Sequence, residues 1–253
     1  MTRKVRLLVA ALCALVSAPA IAVVIMHIPA FGRHPLPYGD AINHLAGAQR
    51  HVTNMVSAVN FDYRAFDTLG EELMLVAAVT GTLVLLRGRR GESLSDRAAQ
   101  AGNRPVCERS EAVTLACRFF LPLITTFGIY VILHAQLTPG GGFQGGAIVA
   151  SGTLLIYLGE SYRLWRRLVR SRVLDMLEAA GALVLVLCGL GPMARGGAFL
   201  QNVLPLGQTG ALLSGGLILV ENAAVALAVT AGFILLLLEF LEETRATCEG
   251  KDP

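Results

Sequence analysis

The sequence has few charged residues and few aromatic ones. Of its 253 residues, 15% are charged and 6% are aromatic, whereas 54% are hydrophobic. The mean hydropathy of +0.61 is well above what a soluble domain of this length needs for its core. The composition therefore indicates a chain whose surroundings are a lipid bilayer.

Patterns that mark several other functions are also missing. The net charge of +3 is small and the basic residues lie in short blocks, so we expect no nucleic-acid partner. The five cysteines form no CxxC pair and no zinc or iron–sulfur spacing, which predicts neither a metal nor another cofactor; they are interpreted as buried small residues or free thiols. Because no Ser/His/Asp or Cys/His constellation is recognisable, we predict that the chain is not an enzyme.

Six apolar segments reach the roughly 20 residues that a helix needs to cross a bilayer. They lie near 5–27, 66–87, 113–136, 144–162, 176–195 and 213–240. The predicted fold class is therefore an all-α integral membrane protein with two plus four transmembrane helices. The first segment has a basic start and a small-residue stretch at Ala18-Pro-Ala20, so a cleaved signal peptide is the alternative; its apolar character up to Met26 favours a retained anchor.

The basic residues between these segments predict the orientation of the chain, because Arg and Lys accumulate on the cytoplasmic side. Both termini are expected in the cytoplasm of a bacterium, with a multi-pass chain in its inner (plasma) membrane and the loops 28–60, 137–143 and 196–210 outside. The basic residues are Arg3, Lys4 and Arg6, then Arg87, Arg89 and Arg90, then Arg163, Arg166, Arg167, Arg170 and Arg172.

A polar stretch that contains Gly and Ser, from Arg87 to Glu111, separates two apolar segments from four. It predicts a two-helix region 1–90, a cytoplasmic linker 91–112, a four-helix domain 113–243 and a cytoplasmic tail 244–253. No convincing internal repeat is present, which disfavours a complete inverted-repeat transporter and favours one component of a larger assembly.

The first informative stretch is Asn60-Phe-Asp-Tyr-Arg-Ala-Phe-Asp-Thr-Leu-Gly-Glu-Glu72, which leads directly into an apolar segment. On a helix Arg64, Asp67 and Glu71 share one face, so Arg64 can partly neutralise Asp67 while Glu71 lies deeper. A deep carboxylate is costly unless it is paired or protonated, which favours a place for Glu71 in an ion or proton path. For Asp62 and Arg64, anchoring at the headgroup level is equally open. Glu72, about 100° further round the helix, is expected to face a partner protein or lipid headgroups.

From Asp62 to Glu71 this stretch resembles the signature near the C-terminal end of the large, A-type component of Mrp-type cation/proton antiporters. The resemblance covers Asp62, Arg64, Asp67, Gly70 and Glu71 position by position, whereas the upstream residues His51 to Asn54 depart from the family's Asn-rich approach. It implies an origin as a detached tail of that A-type component, an arrangement also met in membrane-bound hydrogenases.

The second informative stretch, His134 to Gly146, is rich in glycine. Pro139 is expected to end a helix, and the glycines after it permit positive φ and a close approach to another chain or an ion. Further on, glycine and alanine recur every four residues and glycine every seven, which predicts smooth faces for helix packing. A phosphate loop is disfavoured, because no Lys-Ser or Lys-Thr follows the glycines. The Gly-rich loop comprises Pro139, Gly140, Gly141, Gly142, Gln144, Gly145 and Gly146.

The residues His134-Ala-Gln-Leu-Thr-Pro-Gly-Gly-Gly-Phe-Gln-Gly-Gly146 are similar to the hallmark of the B-type component of Mrp antiporters, the MnhB family. The resemblance extends over about residues 113–240 and implies four helices there. His134 either relays protons or is satisfied by a backbone carbonyl group; its residue type leaves both open.

A third feature, Glu221-Asn222, lies about two turns into the last apolar segment. Ala224 and Ala228 share the face of Glu221 and let another helix approach, so Glu221 is expected to point into protein. A place in the ion path is favoured for it over a role in helix packing alone. Arg118, Glu160 and Glu178 are instead expected to be solvated or paired near helix ends.

Both resemblances imply a subunit of a multisubunit monovalent cation (Na+)/proton antiporter. Expected partners are membrane subunits resembling the A, C and D types, monovalent cations, protons and the bilayer. The predicted path comprises Glu71, Asp67, Arg64, His134 and Glu221. One alternative is a membrane-arm subunit of an energy-converting hydrogenase or related respiratory oxidoreductase, and another is a structural scaffold.

Overall fold

The structure is a computed structural model that describes residues 3–28, 37–90, 110–160, 165, 167 and 169–249. Within these residues the regular secondary structure is entirely helical, and six helices are long and apolar enough to span a bilayer. This confirms the predicted fold class and all six segments. The spans are Leu7–Met26, Ala65–Leu86, Glu111–Leu133, Gly142–Gly159, Ser171–Met193 and Leu217–Leu241.

The helices are numbered in chain order, and the chain divides into two units after Ala41. The first unit contains α1, whose apolar side chains are exposed along its length. The second contains α3 to α8 and most of α2. The helices are α1 Arg3–Met26, α2 Pro37–Arg50, α3 Met55–Ala58, α4 Ala65–Arg90, α5 Glu111–Leu133, α6 Gly142–Gly159, α7 Ser171–Met193 and α8 Leu217–Glu249; a π-helical turn, Val59–Tyr63, joins α3 to α4.

Helix α8 is the centre of the second unit and packs against α4, α6 and α7. In an apolar window of 18 residues within its span, 61% of the residues are buried, against 17% in the corresponding window of α5, which packs mainly on α6. The buried apolar side chains of α8 include Val225, Val229 and Leu235. The polar side chains of Glu221, Asn222 and Glu239 on α8 are therefore surrounded by protein, whereas α5 keeps a large apolar surface exposed.

Helix α6 packs through two glycine faces, as the spacing predicts. On one face, a Cβ at Gly142 would overlap the backbone oxygen of Asn222 in α8, and a Cβ at Gly146 would lie 2.9 Å from the backbone oxygen of Ala226. On the opposite side α6 meets α5. The α5-facing glycines are Gly145, Gly152 and Gly159. Helices approach this closely only where the side chain is absent, so these glycines set the position of α6.

The connection between α5 and α6 differs in detail from the expectation. Helix α5 ends at Leu133, before the predicted position 136, so the expectation that Pro139 ends this helix is wrong. The backbone after Leu133 turns to meet the segment before α3. There the amide groups of Thr53 and Asn54 both donate to the carbonyl oxygen of Gln136 at 3.1 Å. Of the three glycines after Pro139 only Gly140 has positive φ, at 131°, since Gly141 is extended and Gly142 begins α6.

The segment predicted as an outer loop at 28–60 contains α2, α3 and the start of the π-helical turn. Helix α2 forms because apolar residues recur at helical spacing, and Ile42 and Ala46 are buried. Helix α8 also continues beyond the predicted end at 240. Residues 91–109 of the predicted linker, 250–253 of the predicted tail, and Arg163 and Arg166 lie outside the described residues.

Candidate functional site

A cavity of about 450 Å³ lies where the two signature stretches meet. The start of α4 forms one wall and the Gly-rich loop with the start of α6 forms another. Of the predicted site residues, the structure brings Glu71, Gly140, Gly141, Gly142 and Gln144 to this cavity. The full lining is Val56, Ser57, Asn60, Phe61, Thr68, Glu71, Glu72, Met74, Gly140, Gly141, Gly142, Phe143, Gln144 and Val225.

The two adjacent glutamates of α4 differ in their surroundings. Glu71 is exposed at the cavity, whereas Glu72 is only 3% exposed and one of its carboxyl oxygens has no hydrogen-bond partner among the described residues. The buried face of α4 carries Thr68, Glu72 and Val79, at helical spacing, and this face packs against α8. The expectation that Glu72 faces lipid headgroups or a partner protein is therefore wrong. Glu72 faces the interior of this chain.

Side-chain amides hold the Gly-rich wall of the cavity in place. The Nδ2 atom of Asn54 lies 2.7, 2.9 and 3.2 Å from the carbonyl oxygens of Ala135, Thr138 and Gly140. The Oδ1 atom of Asn54 accepts from the amide of Val56 at 3.1 Å and caps α3. Asparagine in this position satisfies carbonyl groups that an irregular loop leaves without helical partners.

The same type of contact joins the loop to α8. The amide of Gly142 donates to Oδ1 of Asn222 at 2.9 Å, and Nδ2 of Asn222 donates to the carbonyl oxygen of Ile218. Asn222 is fully buried. The residue adjacent to the predicted path residue Glu221 therefore anchors the first turn of α6.

Glu221 is fully buried, and neither of its carboxyl oxygens has a hydrogen-bond partner among the described residues. Helix α7 approaches at Gly181, where a Cβ would lie 2.8 Å from both the Cβ and the amide nitrogen of Ala228. This confirms that Glu221 points into protein and that a second helix packs beside it. A buried carboxyl group without a cation is stable in an apolar interior only when it carries a proton.

Asp62 belongs to a packed ion pair. Its carboxylate accepts from Nε of Arg50 at 2.5 Å and from Nδ2 of Asn202 at 3.2 Å, and its side chain is 6% exposed. The Oδ1 atom of Asn202 also accepts from the amide of Leu217, which begins α8. Arg50 was missed in the sequence because it precedes the signature by twelve residues; its place at the end of the amphipathic α2 is the signal that identifies it.

Arg64 and Asp67 form the expected ion pair, but both are solvent-exposed, at 62% and 47%. His134 makes a hydrogen bond between Nδ1 and the carbonyl oxygen of Tyr130 at 3.0 Å and stacks on the Tyr130 ring. The sequence left open whether His134 relays protons or bonds to a backbone carbonyl group, and the structure shows the bond to the carbonyl group. Arg64, Asp67, His134 and Glu221 are not among the described residues that line the cavity.

Sequence reasoning also missed buried acids nearer the other end of the bundle. Arg118 and Glu160 pair at 2.7 Å as expected, but Glu178 is only 6% exposed, so its expected solvation is wrong. Glu178 lies on the face of α7 that also carries Leu174, Gly181 and Leu185, and a helical wheel would have placed it there. Glu239 on α8 is likewise buried. Among the described residues, no cluster of His, Cys, Asp or Glu is placed to hold a metal ion.

A bundle of apolar helices with buried carboxyl groups and a cavity that two glutamates line defines a multi-pass membrane protein with an ionisable interior. Residues 112–235 match the family described as a domain related to the MnhB subunit of Na+/H+ antiporters. The chain belongs to this MnhB-related family, which confirms the predicted resemblance.

Several curated proteins are similar to this chain. Over 203 residues it is 34% identical to the uncharacterized protein MJ1307 of Methanocaldococcus jannaschii. The matched region covers 72% of this chain and 74% of that protein. Over 185 residues it is 29% identical to a probable A/B subunit of a K(+)/H(+) antiporter of Rhizobium meliloti, covering 66% of this chain. It is 35% identical over 80 residues to the B subunit of the Na(+)/H(+) antiporter of Bacillus subtilis. The matched regions make up 18% of the Rhizobium protein and 55% of the Bacillus one.

Two solved complexes contain chains of similar fold. A chain of the membrane-bound sulfane sulfur reductase, an archaeal respiratory membrane complex, superposes with a TM-score of 0.71 at 29% identity, covering 94% of this chain and 98% of that one. A chain of the Mrp complex from Dietzia sp. DQ12-45-1b gives a TM-score of 0.70 at 25% identity, covering 94% of this chain and 26% of the other. Both are membrane complexes, which supports the role of a complex subunit.

Proposed function

We propose that this chain is a membrane subunit of a multisubunit monovalent cation (Na+)/proton antiporter and contributes to its ion or proton path. The observation that carries the proposal is the cavity at which the two signature stretches meet beside the buried Glu72. Named relatives are the A/B and B subunits of antiporters, and the family is related to a transport subunit, not to a recognised catalytic enzyme.

Within this subunit the residues have distinct roles. Glu71 receives the ion or proton at the mouth of the cavity, and Glu221 takes part as a buried acid. Arg64 and Asp67 set the field at the entrance, His134 lies at the end of α5, and the Gly-rich loop shapes the wall. Each carboxyl group alternates between a protonated and an ion-paired state, so no bare charge is left in the apolar interior.

The proposed organisation has a region resembling the end of the A-type component at 1–90 and an MnhB-like domain at 113–243, joined by the linker 91–112 and followed by the tail 244–253. Both termini lie in the cytoplasm of a bacterial cell, so the cavity opens to the outside. The partners are membrane subunits resembling the A, C and D types. Exposed apolar faces on α4 and α5 provide surfaces for lipid or for these partners.

The test is cation-dependent proton flux in vesicles that contain the complex. Glu71→Gln and Glu221→Gln should each reduce the flux while the complex still assembles. Glu111→Gln is the matched control, because Glu111 is exposed at the start of α5. Unchanged flux in both path variants, with assembly intact, would instead support a structural scaffold. Purification of the chain alone, in a form that still transports ions, would contradict the proposal of a complex.

A second candidate host is a redox-linked respiratory complex. It is favoured by one observation: the matched chain of the sulfane sulfur reductase complex is covered over 98% of its length, whereas the Mrp chain is covered over 26%. Purification in mild detergent separates the two hosts. Co-purifying iron–sulfur proteins would identify the redox complex, and a set of antiporter subunits without them would identify the exchanger.

A further inference from the structure

The cavity between the start of α4 and the Gly-rich loop has an acidic lining. Glu71 is exposed at the cavity, whereas Glu72 is 3% exposed and its Oε1 atom has no hydrogen-bond partner among the described residues. The described residues that line the cavity include no lysine, arginine or histidine, and apolar side chains such as Phe61, Met74 and Val225 form much of the remaining wall. Because charges of one sign between apolar walls concentrate ions of the opposite sign, the cavity favours a cation.

Two buried hydroxyl groups in the lining offer lone pairs to such an ion. The Oγ1 atom of Thr68 donates to the carbonyl oxygen of Asn60 at 2.7 Å, and the Oγ atom of Ser57 donates to that of Ala135 at 2.6 Å. A carbonyl oxygen can only accept, so each hydroxyl proton is directed to the backbone. Ser57 also accepts from Nδ2 of Asn54 at 3.0 Å, which leaves it one lone pair. Both hydroxyl oxygens can therefore accept a further partner.

Thr68 and Glu72 lie one turn apart on the buried face of α4. Residues four apart on a helix have Cβ atoms about 5–6 Å from each other, so the hydroxyl and the carboxylate can contact the same ion. None of the ion pairs in the described part of the chain includes Glu72. In an apolar interior a carboxyl group is stable only as the neutral acid or beside a cation. A bound cation would supply the partner that the Glu72 carboxylate lacks.

The Gly-rich wall provides space and further acceptor oxygens. A Cβ at Gly141 would lie 3.1 Å from Oε1 of Gln144 and 3.2 Å from Oδ1 of Asn222, so the absence of a side chain keeps the space beside these oxygens open. The cavity volume is about 450 Å³. Because a water molecule takes about 30 Å³ in the liquid, an ion in this cavity keeps part of its hydration.

The number of acids matches an ion with a single charge. One carboxylate is buried at the cavity, and Ser57, Thr68 and Gln144 are neutral, so one positive charge neutralises the buried part of the lining. Ca²⁺ instead takes about six to eight oxygen ligands, several of them from carboxylates. Carboxylate, hydroxyl and amide oxygens are the ligands that hard cations such as Na⁺ and K⁺ require.

We propose that the cavity binds one partly hydrated monovalent cation, with Glu72 as its charged ligand and Thr68 as a neutral oxygen ligand. Ser57 and Gln144 accept from the water that the ion keeps, and Glu71 attracts the ion from the open side. The inference rests on the proposed function only for the part of this ion in transport, because binding is measured without transport.

Binding of radioactive Na⁺ to the purified complex, measured by equilibrium dialysis with a parallel K⁺ series, tests the site. Glu72→Gln keeps the size of the side chain and removes its charge, so the complex should bind one monovalent ion fewer. Glu178→Gln is the matched control, because Glu178 is also buried with an unpartnered Oε1 atom but is not among the described residues that line the cavity. It should bind as many ions as the wild type. Unchanged binding of both ions in Glu72→Gln, or an equal loss in the control, would overturn the site.

Thr68 gives a second test, which also applies if the Glu72→Gln complex fails to assemble. Thr68→Val keeps the shape of the side chain and removes its oxygen, so the affinity for the ion should fall about tenfold. Thr68→Ser keeps the hydroxyl group and should bind the ion as the wild type does. An unchanged affinity in Thr68→Val, or an equal loss in Thr68→Ser, would overturn Thr68 as a ligand.

Cation-dependent proton flux in vesicles separates the site from the proposed function. Loss of both the bound ion and the flux in Glu72→Gln supports the site and its part in transport. Loss of the ion with unchanged flux supports the site and overturns its part in transport. A wild-type complex that binds the ion through Glu72 but shows no flux supports the site and contradicts the proposed function. Flux in a wild-type complex whose ion binding does not depend on Glu72 overturns the site and leaves the proposed function intact.

Discussion

Among the described residues, two sets of buried polar side chains differ in their hydrogen bonding. Around the Gly-rich loop, Asn54, Asn202 and Asn222 use their amides to bind backbone carbonyl and amide groups. In the interior of α4, α7 and α8, Glu72, Glu178 and Glu221 have carboxyl oxygens without partners among the described residues. The amides stabilise an irregular backbone, whereas the acids cost stability and are therefore the better candidates for function. This difference predicts how substitutions in the two regions should behave, here in order of decreasing effect on folding stability.

The largest effect is expected at the contact between the Gly-rich loop and α8. Gly142→Ala places a Cβ onto the Asn222 backbone oxygen, and because that atom belongs to a helix, α6 must move. Overpacking of this kind should lower stability by about 3 kcal/mol, seen as a lower melting temperature of the purified complex. Gly81→Ala is the matched control: nothing lies within 4 Å of that position, so its stability should be unchanged or slightly higher. Equal losses in the two variants would contradict the packing argument.

The next effect comes from turning a bonded amide into an unpartnered acid. Asn54→Asp keeps the oxygen that caps α3 but replaces the Nδ2 donor, so the carbonyl oxygens of Thr138 and Gly140 lose this donor and that of Ala135 keeps only the hydroxyl of Ser57. We expect a loss of about 2 kcal/mol in the free energy of unfolding, measured by denaturation in detergent. Asn54→Ser, which restores a smaller donor and a cap, should recover part of it. An Asn54→Asp variant with unchanged stability would show that the side-chain amide does not hold the loop in place.

A substitution in the opposite direction, from an unpartnered acid to an amide, should have little effect on stability. Glu221→Gln exchanges an unpartnered buried acid for a neutral amide of the same size, so the melting temperature should stay within the equivalent of about 1 kcal/mol or rise. Cation-dependent proton flux should nevertheless fall. A stability loss similar to that of Asn54→Asp would show that Glu221 has a structural partner, and would remove the distinction between the two regions at this residue.

The smallest effect is expected at the exposed ion pair. Arg64→Gln breaks the contact with Asp67, but both side chains are in solvent, so the change in stability should be under about 0.5 kcal/mol and should vanish at high salt. Arg50→Gln is the informative comparison, since it leaves the buried Asp62 carboxylate with one fewer partner and should cost more. Similar losses at both arginines would contradict the difference in burial.

Much of the fold could be predicted because the bilayer constrains sequence strongly. A span needs a long apolar segment, and such segments are visible in the sequence whatever their neighbours are, so all six could be located. The two glycine faces of α6 were also predictable, because a spacing of four or seven residues places side chains on one face of any helix. The outer segment before α4 was harder, since α2 is too short and too polar to be separated from a loop by hydropathy.

The candidate site was predictable only in part. Glu221 and the loop glycines were identified because an acid in an apolar run and a cluster of glycines are unusual in themselves. The sequence favoured Glu71 over Glu72 as the deep acid, whereas the structure buries Glu72, because burial depends on which face of α4 packs against α8. Glu178 resembled a solvated helix end, and only the packing of α7 against α4 and α8 shows that it is enclosed.

The sequence by itself determined that this is a six-span membrane protein, which family it resembles, and that α6 packs through glycine, since these properties depend on composition and local periodicity. Only the tertiary structure decided which acids are buried, which amides hold the loop, and that the two signatures share one cavity. The physical reason is that burial and hydrogen bonding are properties of pairs of helices, and residues far apart in the chain become neighbours only when the bundle forms.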